Sequence, residues 1–116
     1  MAATLAEAKV RIDGTTAVVE LSGDINRLAE PVINDAYDQA KAAGCSEIIL
    51  NFSDTEFINS TGIAVIVGML AKARQEERSV SACGLTEHYQ HIFQITRLSD
   101  FMPMFPDESS ARAKAS

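Results

Sequence analysis

Short β-branched runs alternate with longer segments of helical period along most of this chain, which restricts it to architectures of helices packed on a sheet. Residues 7–12 alternate polar and apolar, as a half-buried strand does. Asp13 and Gly14 form a hairpin-turn dipeptide, and residues 16–21 read as a second strand stopped by Ser22 and Gly23. Val32, Ile33, Ala36, Tyr37, Ala40 and Ala43 then recur at spacings of three and four, ending at Gly44. Because Pro31 is tolerated only in a first turn, this helix begins at Ala29 or Glu30. Residues 47–52 suit a central strand, and Ser53, Asp54 and Thr55 are turn residues.

The apolar block from Ile63 to Leu70 is ambiguous by composition, because β-branched and small residues suit a strand as well. Ser60 and Thr61 offer N-cap oxygens, and the apolar spacing continues at helical period through Met69, Leu70 and Ala73. The block is therefore predicted to be a helix buried over most of its surface, with Gly62 and Gly68 permitting close backbone approach. Residues 79–85 read as a strand, and Thr86 caps a helix running through Leu98 on Tyr89, Ile92, Phe93 and Ile95. Residues 101–105, marked by Pro103, form an edge-like extended segment. Residues 107–116 read as a short terminal helix or frayed tail. The predicted class is α/β: a mixed sheet of four to five strands, an N-terminal β-hairpin and about four helices.

The 116 residues, 47% hydrophobic and 22% charged, suffice for one domain over 1–116 with one core. A net charge of −6 argues against nucleic acid or an anionic membrane surface as partner, since the basic stretch from Lys72 to Arg78 is diluted by Glu76 and Glu77. A protein partner is the expectation. The first nine residues lack a cationic flank leading into an apolar run, and no stretch reaches the ~20 residues of a membrane span. The expected compartment is the cytoplasm, with Cys45 and Cys83 as reduced, buried thiols.

Signatures of catalysis are missing: there is no phosphate-binding glycine loop and no zinc-protease or serine-hydrolase motif. His88 and His91 lie three apart on one predicted helix without a third ligand nearby, which reads as a solvent-facing pair. Asp54 and Glu56 flank a turn, where acids are common without chemistry. No enzyme activity, metal or cofactor is expected. Ser60 has two readings: a plain helix cap of ~1 kcal/mol, or an exposed hydroxyl open to modification. A phosphate of about −2 charge at a helix N-terminus is tolerated by the fold while it changes the surface a partner meets.

Residues 57–68, Phe-Ile-Asn-Ser-Thr-Gly-Ile-Ala-Val-Ile-Val-Gly, resemble the signature of the STAS family, the anti-sigma-factor antagonists. In that family a strand ends in an Asp-Ser-Ser/Thr-Gly turn, followed by a small-and-apolar helix with a second glycine six residues on. Residues 21–25, Leu-Ser-Gly-Asp-Ile, resemble the family's Gly-Glu-Leu/Ile element, and Ala29, Glu30 and Pro31 its proline-bearing helix start. The order of elements agrees from about Ala8 to Phe105. The resemblance implies a non-enzymatic switch that binds an anti-sigma factor of the serine-kinase type and is phosphorylated on Ser60, with Thr61 the runner-up. A serine phosphatase then resets it. It further implies a partner surface of Asp24, Asn26, Asn59, Ser60, Thr61 and Gly62. Two carboxamides depart from the family pattern, Asn59 at the motif aspartate and Asn26 after the Gly-Glu-Leu/Ile element. STAS-like domains also serve as unphosphorylated scaffolds or regulatory subunits of sensory assemblies and membrane transporters, and that is the alternative implied.

Overall fold

The computed structural model describes residues 4–115. Met1–Ala3, part of the stretch read for a targeting signal, and Ser116, the end of the tail, lie outside them. The chain opens with β1 (Glu7–Asp13) and β2 (Thr16–Ile25), an antiparallel hairpin closed by the Asp13↔Thr16 pair. There follow α1 (Glu30–Ala42), β3 (Glu47–Ile58), α2 (Ser60–Gln75), β4 (Ser79–Cys83), α3 (Glu87–Ile95), β5 (Met104–Phe105) and α4 (Glu108–Ala115). The five strands lie in the order β1-β2-β3-β4-β5, with every pair after the hairpin parallel. Parallel neighbours need crossover connections, and α1, α2 and α3 supply them.

Strand alternation sorts the core onto two faces. Ala17, Val19 and Leu21 of β2, Ile48, Leu50 and Phe52 of β3, and Val80 and Ala82 of β4 join the buried residues of the three crossover helices. Phe52 and Phe93 meet edge to face there, with ring centroids 6.2 Å apart. The intervening residues Val18, Ile49 and Cys83 point to the opposite face, where α4 covers them with Ala111. Glu108 accepts from Arg11 at 2.5 Å and Arg112 pairs with Asp13, tying α4 to the hairpin.

The expected strand ends at Ser22–Gly23 and at Phe52 are corrected: both strands run on, β2 to Ile25 and β3 to Ile58. The breaker residues make bulges instead of turns. The β2–β3 register slips between Glu20 and Ser22 and again between Gly23 and Asp24, so β3 carries the extra residues. Ser53 N–H donates to Asn51 Oδ1 at 2.9 Å and Thr55 Oγ1 to the Phe52 carbonyl at 2.7 Å, closing the bulges locally. Gly23 takes a φ of +81°, and a Cβ there would lie 2.4 Å from the Leu5 carbonyl oxygen, so only glycine fits where the incoming chain crosses β2.

Two helix expectations also change. The helix begun at Thr86 ends at Ile95, because Arg97 turns left-handed at φ 64° before a 3₁₀ turn, Leu98–Asp100. That turn buries Leu98, while Ile95 is left 65% exposed. The second change is in α2, which buries one face and exposes a stripe through Ala64, Val67, Gly68 and Ala71. A Cβ on Gly68 would meet nothing within 4 Å, so the expected close approach there is absent.

Candidate functional site

Extension of β2 and β3 past their expected ends is what assembles the candidate site. Ile25 and Ile58 pair side by side, and Asn59 N–H donates to the Ile25 carbonyl at 3.2 Å. Asn26 and Asn59 therefore leave the carboxyl ends of two adjacent parallel strands, the edge where helix N-termini gather and α/β proteins place their sites. Asp24, half-buried, lies one step back in β2 opposite Phe57. Tyr89 of α3 braces the same edge: its hydroxyl accepts from Ile58 N–H at 2.9 Å. Sequence reasoning read Tyr89 only as an apolar position, since periodicity is blind to a phenol oxygen.

The cap of α2 is Asn59, which corrects the assignment of that role to Ser60 and Thr61. Asn59 is extended (φ −97°, ψ 179°), and its Oδ1 accepts from Gly62 N–H at 2.8 Å and from Thr61 Oγ1 at 2.7 Å. A carboxamide supplies the same acceptor as a carboxylate, so the loop keeps its shape without the charge. Asn26 acts alike one strand over: it caps the 3₁₀ turn Arg27–Ala29, accepting from Leu28 N–H at 2.9 Å. Both are among the six residues expected at the site, and both position backbone.

Ser60 is thereby freed from capping. It is the first helical residue and is exposed, as is Thr61, whose hydroxyl is committed to Asn59. The first amides of a helix have no partner within it, and Asn59 takes only that of Gly62 through its side chain. The amides of Ser60 and Thr61 remain at the open end, where the helix dipole favours an anion. Gly62 is buried, and a Cβ there would fall 1.9 Å from the Ile25 carbonyl oxygen. That contact presses the start of α2 against the end of β2. Leu28 and Phe57, 61% and 54% exposed, flank the edge; Leu28 lies outside the motifs and Phe57 opens one, but no pattern in the sequence marks either side chain as exposed.

The other candidates lie elsewhere. His88 and His91 are exposed on α3, the His88 ring 4.9 Å from that of Tyr89, and among the described residues no cluster of His, Cys, Asp or Glu could hold a metal ion. Asp54 and Glu56 are exposed on the bulged part of β3. Cys45 and Cys83 are buried, free thiols, and burial, together with Glu108 and Asp107, pushes Cys83 up to about 11. Among the described residues no helix is long and apolar enough to cross a membrane.

Comparison with known proteins agrees with this architecture. The chain is 24% identical to the anti-sigma-B factor antagonist of Staphylococcus aureus (strain NCTC 8325 / PS 47) over 84 residues, 72% of this chain and 78% of that one. Its fold is similar to that of an anti-sigma factor antagonist from Mycobacterium paratuberculosis, with a TM-score of 0.79, 19% identity, and coverage of 94% and 92% of the two chains. It is also similar to the phosphorylated form of the Bacillus cell fate determinant SpoIIAA, with a TM-score of 0.72, 19% identity, and coverage of 94% and 99%. Residues 8–105 match the family described as "Mlab, STAS domain", so the chain belongs to the STAS domain family.

Proposed function

We infer that this protein is a cytoplasmic, non-enzymatic anti-sigma factor antagonist whose Ser60 edge docks on an anti-sigma factor of the serine-kinase type. Phosphorylation of Ser60 releases the partner and a serine phosphatase restores binding. Ser60 itself carries this reading: it is an exposed hydroxyl in the first turn of a helix whose cap is supplied by another residue. A phosphate added there meets the helix amides and leaves the Asn59 cap intact, so the fold tolerates the dianion. The same dianion trapped without a counter-charge in a protein interface costs several kcal/mol, which favours release. Asp24, Asn26, Asn59, Thr61 and Gly62 shape the docking edge, and exposed Leu28 and Phe57 give it apolar contact area.

Affinity capture from the native host with wild-type, Ser60→Ala and Ser60→Asp protein tests this. Ser60→Ala is expected to retain a kinase-type anti-sigma factor and Ser60→Asp to lose it by about tenfold or more. Equal capture by all three forms would sink the switch. A second reading, an unphosphorylated STAS scaffold or regulatory subunit of a sensory assembly or membrane transporter, is favoured by Asn26 and Asn59. Both place carboxamides at the edge where the family pattern carries acids. Intact mass of the protein from its host separates the two, since only the first reading yields a phosphate increment mapping to Ser60 and not to Thr61.

A further inference from the structure

Away from the Ser60 edge, a cavity of about 580 Å³ opens between the second half of α2, the start of β4 and the 3₁₀ turn Leu98–Asp100. That volume lies within the range of small-ligand sites. Val67, Leu70, Ala71, Val80, Leu98 and Phe101 line it with carbon, and Phe101 is left 57% exposed at its rim. Four charged residues reach the same cavity, and two are already neutralised. Arg78 donates to Glu76 at 3.0 Å and to the Cys45 carbonyl at 3.0 Å, and Asp100 is paired with Arg97 at 3.0 Å. Arg74 makes no ion pair among the described residues, and its guanidinium lies 5.4 Å from the centroid of the Phe101 ring. Glu77 is the fourth, an exposed carboxylate one turn beyond Arg74.

Two helix ends meet at this cavity. Among the described residues only Glu77 (φ 60°) and Arg97 (φ 64°) are left-handed without being glycine. Glu77 lines the cavity, and Arg97 immediately precedes Leu98, which does so too. Glu77 and Arg97 are each the residue just past the C-cap of its helix, α2 or α3, where a left-handed turn commonly ends a helix, and the two turns set the cavity between those helix ends.

We propose that this cavity is a binding site for a small apolar monocarboxylate. The apolar walls take the hydrocarbon body, and the planar fork of Arg74, stacked on Phe101, takes the carboxylate through paired N–H donors. A single unpaired cation with Glu77 nearby suits one negative charge and disfavours a phosphate dianion. An amine of the same shape would be repelled by Arg74 and would find only the exposed carboxylate of Glu77, which has no aromatic ring stacked against it among the described contacts.

The test is titration of 3-phenylpropionate, and separately of phenethylamine, into isotope-labelled full-length protein, followed by backbone amide NMR shifts. For the acid, saturable shifts are expected at Val67, Ala71, Val80, Leu98 and Phe101, with half-saturation near ~1 mM or below for a ligand of this size. Arg74→Gln should weaken binding by about tenfold or more, and Glu77→Gln should tighten it about twofold or more. Ala71→Leu, which fills the cavity without touching the cation, should also abolish the shifts and serves where Arg74→Gln perturbs the fold. The proposal is overturned by an absence of saturable shifts up to ~10 mM, by binding that survives both Arg74→Gln and Ala71→Leu, or by equal binding of the amine.

Discussion

One oxygen, Asn59 Oδ1, accepts from both the Gly62 amide and the Thr61 hydroxyl at the start of α2. Replacing Asn59 by Ala is expected to cost about 1 kcal/mol of stability. Asn59→Asp should leave stability unchanged or raise it by a few tenths of a kcal/mol, because a carboxylate keeps the acceptor and complements the helix dipole. Ser60→Ala, at an exposed position with no capping role, should stay within ~0.5 kcal/mol of wild type. Urea denaturation of the three variants checks this, and a loss at Ser60 equal to that at Asn59 would return the cap to the serine. The sequence contained the cap chemistry, since asparagine, serine and threonine stand in a row. It did not contain which of the three is extended and which are helical. The Ile25–Asn59 hydrogen bond fixes that, and it comes from a strand far back in the chain.

At the scale of the element, α2 is seated through Gly62 and left open at Gly68. A methyl group on Gly62 would have to displace the end of β2, so Gly62→Ala should destabilise by at least the ~1–3 kcal/mol typical of overpacking. Gly68→Ala meets empty space in a helix interior and should stabilise by up to ~1 kcal/mol. Opposite shifts of the thermal midpoint are the measurement, and a shift of the same sign for both would contradict this seating. Element type was legible almost throughout, because period-two and period-3.6 patterns differ even in short windows. Strand ends were not: Ser53, Asp54, Thr55 and Gly23 are turn residues by chemistry, and a neighbouring strand turned them into bulges. Exposure along α2 was equally hidden, since Ala64, Val67, Gly68 and Ala71 look like core until the sheet is seen to cover only the other face.

For the whole molecule, one contribution to acid stability comes from a carboxylate that ties α1 to the turn between α2 and β4. Glu76 accepts from Tyr37 Oη at 2.5 Å, Lys41 Nζ at 2.7 Å and Arg78 at 3.0 Å. The hydrogen bond from Lys41, then that from Tyr37, hold its carboxyl at about 2 against an ordinary 4.5. A carboxyl lowered by folding contributes stability that is complete above the unfolded value and is lost as pH falls through the folded one. The wild-type protein should therefore lose stability between about pH 4.5 and 2, and Glu76→Gln should flatten the pH dependence across that window in urea titrations. An unchanged slope would remove Glu76 from the account. By itself the sequence determined the order of elements, the crossover architecture and the presence of an N-terminal turn at residues 59–62, because these rest on local periodicity and cap chemistry. Only the tertiary structure decided that Asn26 and Asn59 share one edge, that Ser60 is exposed and uncommitted, and that α2 shows a small apolar stripe to solvent. Each of those depends on register between β2 and β3 and on which face of a helix a sheet covers, contacts between residues too distant along the chain for any local pattern to record.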